Sequence, residues 1–155
     1  MRASVRRQHR ALVAVFGAMI GISGGCGSPF EVDTTDEPVR SLEFAPQSKN
    51  RDINLDRDHD ANDKHAFTLF VVVKGYRLAA AGKCANAPDC GHLLLHIDGT
   101  SCGDPNDFST DERLHARFGR CPSVRGVHLI TIRLRDDGER LLATTELEVV
   151  VTSTG

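Results

Sequence analysis

Between Val127 and Arg135 the side chains alternate, placing His128, Ile130, Ile132 and Leu134 on one side of an extended chain. Asp136-Asp137-Gly138-Glu139 then turns that chain into the run from Leu141 to Val151. A period of two on both sides of a polar, glycine-containing turn specifies an antiparallel hairpin. A hairpin with one apolar face is not stable alone and must lay that face on another layer. Further runs supply the layer. Ala66 to Val73 is β-branched and aromatic and stops at Lys74-Gly75, restarting at Tyr76-Arg77-Leu78. His92 to Asp98 puts Leu93, Leu95 and Ile97 on one face and His92, Leu94 and His96 on the other. Arg113 to Phe118 alternates polar and apolar residues and reads as an exposed strand rather than the short helix that Ser109 and Glu112 could cap. With Ser41 to Ala45 leading, the chain has six to seven short strands and no sustained helical period from Ser41 onward, which predicts an all-β antiparallel sandwich.

The 155 residues, 40% hydrophobic and 26% charged, suffice for one modest domain with appendages. A formal charge of −2, 5% aromatics and no Trp give neither the basic excess nor the stacking platform of a nucleic-acid binder. Five cysteines leave one outside any intramolecular pairing.

Arg2, Arg6, Arg7 and Arg10 precede a charge-free stretch from Ala11 to Ile22, the pattern of a cleaved signal peptide over residues 1–25. Twelve residues as a helix rise roughly 18 Å, short of a bilayer core of roughly 30 Å. The segment Ile22-Ser23-Gly24-Gly25-Cys26-Gly27-Ser28 resembles the bacterial lipoprotein signal, in which the cysteine becomes the acylated first residue, although Ser23 stands where that signal usually has Leu. The alternative is ordinary signal-peptidase cleavage near Gly24 or Gly25, leaving Cys26 as a thiol. Arg6-Arg7 is similar to a twin-arginine export signal, but Gln8-His9-Arg10 lacks the hydrophobic residues that follow in that signal. Lipidation at Cys26 with more than one acyl chain implies a stable membrane anchor, and Gly27 after it, by the same resemblance, implies the outer membrane. Removing residues 1–25 leaves fifteen basic against twenty-one acidic residues, a net charge of −6. Residues 26–40 read as an acidic, proline-containing tether and residues 41–155 as the sandwich domain.

Cys84, Cys90, Cys102 and Cys121 form an even set in an exported chain, where disulfides persist. Cys84–Cys90 and Cys102–Cys121 are the favoured pairs. The first flanks a short loop, the second brackets a loop-and-strand segment, and any pairing across His92 to Asp98 would require the two ends of a strand to approach. Zinc is disfavoured by the absence of C-x-x-C knuckles.

His92, His96 and His128 raise copper or zinc ligation. On a regular strand His92 and His96 are about 13 Å apart, which leaves His96 with His128 as the pair able to meet across neighbouring strands. Asp56, Asp58, Asp60 and Asp63 alternate with other residues in a loop whose start resembles an EF-hand calcium site. Ala61 stands at the glycine turn of that loop, however, and Phe67 at its bidentate glutamate. No cofactor is required by any other motif. There is no G-x-S-x-G elbow and no placed acid/base pair, so catalytic residues are not assigned. A small envelope hydrolase built on loops around His92 is the remaining enzymatic reading.

The series Cys90-Gly91-His92, His96-Ile97-Asp98-Gly99, Cys102, Cys121-Pro122 and Gly126-Val127-His128 leading into Leu134-Arg135-Asp136 resembles a group of uncharacterised surface lipoproteins of myxobacteria and their relatives, over roughly residues 65 to 151. That group more often has a histidine where this chain has Leu94. The resemblance implies an immunoglobulin-like sandwich at the cell envelope and lends no activity. The expectation is therefore a lipid-anchored, non-enzymatic structural or interaction module whose partner is an envelope protein or glycan. The alternative is a metal-binding envelope protein.

Overall fold

The computed structural model describes residues 38–154. The expected signal peptide of residues 1–25, Cys26 and most of the expected tether of residues 26–40 lie outside the described residues. Among the described residues, nine strands form two sheets. The smaller contains β1 (Ser41–Phe44), β3 (Ala66–Lys74) and β7 (Arg113–Arg117), antiparallel in the order β1-β3-β7. The larger runs β2 (Asp52–Asn54), β9 (Leu141–Thr152), β8 (Gly126–Arg135), β5 (Cys90–Ile97), β4 (Arg77–Leu78), and β6 (Asp107–Ser109) also pairs with β5.

Alternation decides which side chains enter the space between the sheets. Leu42, Phe44, Leu69, Val71, Leu114 and Ala116 from the smaller sheet form one buried cluster with Leu93, Leu95, Ile97, Ile130, Ile132 and Leu134 from the larger. The fold is thus the all-β sandwich that the strand periods predict, with Arg113–Arg117 as a strand whose inner face is buried. Its strand count exceeds the expected six to seven because β2 and β6, three residues each, are too short to carry a period. Nor is the pairing wholly antiparallel: β2 joins β9, and β4 joins β5, in parallel. One helical turn, α1 (Leu55–Asp58), interrupts the acidic stretch expected to be loop; Asn54 caps it by accepting from the Asp56 backbone N–H at 3.0 Å.

Both favoured disulfides are present, Cys84–Cys90 with Cα atoms 5.3 Å apart and Cys102–Cys121 with Cα atoms 4.1 Å apart. Gly91 marks the closest approach of backbone in the larger sheet. A Cβ there would sit 2.2 Å from the Arg135 carbonyl oxygen and 2.9 Å from its carbon, beside the register shift between Leu134 and Arg135. Backbone cannot yield as a side-chain tip can. Gly91→Ala is expected to cost about 3 kcal/mol in urea unfolding, and a loss below about 0.5 kcal/mol would show that the two strands are not held this close.

Candidate functional site

The smaller sheet turns Thr68 of β3 and Arg113, His115 and Arg117 of β7 outward, because their neighbours Leu69, Leu114 and Ala116 point into the core. Thr68 and His115 are direct cross-strand partners. The segment after α1 folds over this face, where the Asp60 backbone N–H donates to the Ala66 carbonyl at 2.9 Å. Between loop and sheet lies a cavity of about 510 Å3 lined by Asp60, Asn62, Asp63, Thr68, Arg113 and His115, among others.

Asp60 organises the cavity. One carboxylate oxygen accepts from the Thr68 hydroxyl and the other lies 2.8 Å from Nδ1 of His115. An ionised carboxylate only accepts, so Nδ1 is the donor in this contact. Arg117 is engaged by Asp107 at 2.9 Å, whereas the Arg113 guanidinium makes no ion pair among the described residues. The cleft therefore combines an oriented imidazole, carboxylate and amide acceptors at Asp63 and Asn62, and the Arg113 guanidinium, whose charge also acts on nearby Asp111. Such a set suits recognition of a polar ligand. The Thr68 hydroxyl lies 3.4 Å from the same Nδ1 that faces Asp60, whereas in a hydrolytic triad the hydroxyl and the orienting carboxylate engage opposite ring nitrogens.

Of the four proposed calcium ligands, Asp60 and Asp63 line this cavity together, while Asp56 and Asp58 are engaged elsewhere. Asp56 accepts from the Ser153 hydroxyl and the Thr154 backbone N–H, which holds its carboxyl below the ordinary value. Asp58 is paired with Arg57 at 2.9 Å, which likewise lowers its pKa. Asp60 serves Thr68 and His115, and Asp63 accepts from the His65 backbone N–H at 2.9 Å. The helical turn α1 and these separate partners replace the converging oxygens that an EF-hand loop needs.

His96 and His128 are not brought together either. His96 pairs with Thr131 on the outer face of the larger sheet, while His128, in step with Ile130, points inward. Each is buried and each has its own carboxylate, Asp104 at 2.6 Å from His96 Nδ1 and Asp98 at 2.7 Å from His128 Nδ1. Asp98 was legible only as part of a turn with Gly99, and Asp104 carried no signal; both became partners through loop closure. Asp98, Cys102, Cys121 and His128 do place ligand-type atoms within 4.8 Å of one another. The two sulfurs are bonded to each other, however, and a disulfide offers no thiolate to a metal. His92 lies in mid-strand, buried and opposite Arg135. It is not in a loop, so the hydrolase reading built on loops around it has no site there.

No family model matches the chain, and no curated protein matches it. Among solved structures, the fibronectin(III)-like modules of CbhA from Clostridium thermocellum align with a TM-score of 0.41 at 11% identity, covering 74% of this chain and 100% of that one.

Proposed function

We propose that this chain is a lipid-anchored β-sandwich of the cell envelope that acts by binding and not by catalysis, with the Asp60–His115 cleft as its recognition surface. The observation that carries this reading is the division of the cysteines. Four are locked in two disulfides, which suits an oxidising compartment outside the cytosol, and the fifth is Cys26, within the segment that resembles a lipoprotein signal. The acidic tether then spaces the domain from an outer-membrane surface, as in the myxobacterial-type surface lipoproteins that the sequence resembles. A non-catalytic role is supported by a cleft in which the Thr68 hydroxyl and the Asp60 carboxylate meet the same nitrogen of His115, unlike the relay order of a hydrolytic triad; its partner would be an envelope protein or glycan.

Expression of the full chain with Cys26→Ala tests the anchor. Wild type should partition with membranes and carry an acyl mass increment, and the variant should lose both. If the variant remains fully membrane-associated and wild type shows no acyl mass, the anchor reading fails.

A further inference from the structure

The outer face of the larger sheet carries a second cavity, separate from the cleft on the smaller one. His92, Leu94 and His96 of β5 stand opposite Arg135, Arg133 and Thr131 of β8. Over them opens a space of about 250 Å3 whose lining includes Leu94, His96, Asp104, Arg133, Arg135 and Glu139. Each acidic group has a partner. Asp104 lies 2.6 Å from His96 Nδ1 and Glu139 pairs with the Arg135 guanidinium at 3.0 Å. Two arginines thus stand among two carboxylates, and Arg133 is the cation outside any ion pair among the described residues.

Two nitrogens at this cavity, Nε2 of His96 and Nε of Arg135, are buried without a hydrogen-bond partner. The His96 side chain is 6% exposed. Buried polar atoms in folded proteins are overwhelmingly paired, and those that are not call for an explanation, an ion being one. Two guanidinium groups beside His96 oppose a cation there. We propose that this cavity is a binding site for a phosphate group, as inorganic phosphate or as a phosphomonoester, gripped by Arg133 and Arg135 with His96 as a third donor. Guanidinium forks match phosphate oxygens, and three donor side chains suit a group with three terminal oxygens better than a planar carboxylate.

His96 couples the site to pH. Burial holds its pKa below the ordinary histidine value; Arg133 and Arg135 push the same way, and Asp104 opposes them. The charged groups facing the ring are therefore Asp104 from the loop after β5, Arg133 and Arg135 from β8, and Glu139 from the following turn, with His92 on its own strand. A bound dianion offsets the two arginines, so binding takes up a proton at Nε2 and strengthens as pH falls. Sulfate isolates this effect because its own charge is constant near neutrality.

The test is isothermal titration of the full chain in detergent with sodium phosphate, glycerol 3-phosphate and sodium sulfate. Saturable binding of one equivalent of phosphate or glycerol 3-phosphate is expected. Arg133→Gln, with an unchanged melting temperature, should weaken it about tenfold, the usual scale for losing a charge-assisted hydrogen bond. Sulfate should bind more tightly near pH 6 than near pH 8. Binding of both phosphate species identifies a terminal phosphate as sufficient, and binding of glycerol 3-phosphate alone identifies an esterified one such as a lipid or glycan headgroup. Absence of saturable binding by either, or wild-type affinity in Arg133→Gln, overturns the site. Sulfate affinity equal at the two pH values removes His96 from it.

Discussion

Phe118→Ala should destabilise the domain by about 4 kcal/mol, the range for emptying a fully buried aromatic position. Phe118 is 0% exposed and opens a short 3-10 turn, Phe118–Arg120, immediately after β7. Its backbone N–H donates to the His65 carbonyl at 2.8 Å, its carbonyl accepts from Cys121 at 2.9 Å, and its ring lies 5.3 Å from that of His128. The side chain thus closes one end of the core with the chain path pinned on both sides, leaving little freedom for neighbours to collapse into the void. Urea unfolding with disulfides intact should show a lower midpoint at unchanged slope. Phe118→Leu should recover more than half of the loss. A loss below about 1 kcal/mol for the alanine variant would mean that the ring does not fill the core as described.

Removing Cys102–Cys121 as the double alanine variant should cost about 3 kcal/mol, and removing Cys84–Cys90 about 2 kcal/mol. The difference comes from loop length. Nineteen positions separate the first pair and six the second, and the entropy withheld from the unfolded chain grows with the logarithm of that separation. Cys84, Cys90 and Cys102 are all buried, so alanine adds a packing loss in both variants and makes both figures lower bounds. Thermal melting of the two variants side by side should rank them in this order; the reverse order would show that the Cys102–Cys121 bridge adds little to folding stability.

The extent to which the fold was legible follows from how each element earns its structure. Strands β3, β5, β8 and β9 are long enough to display a period of two, and their inward sets, including Leu93, Leu95, Ile97 and Ile130, Ile132, Leu134, are buried as that period requires. Strands β2 and β6 display no period. Asp52–Asn54 is extended because residues about a hundred positions later, Val150 to Thr152, offer it a parallel edge, and Asp107–Ser109 because Leu93 to Leu95 do. The acidic spacing met a related limit. The spacing of Asp56, Asp58, Asp60 and Asp63 matched an oxygen cage in one dimension, while a capped helical turn and a cross-strand histidine drew the carboxylates apart in three.

What the sequence determined by itself is local: which side of each long strand faces the core, where the hairpin turns, and that no disulfide spans the strand from His92 to Asp98. Those properties follow from the covalent geometry of an extended chain, in which successive side chains alternate and the two ends of a strand stay apart. Only the tertiary structure decided which strands share a sheet, and with that the meeting of Asp60 with Thr68 and His115 and of His96 with Asp104, Arg133 and Arg135. Such contacts depend on strand register and loop closure, which the whole core sets together and which no single segment encodes.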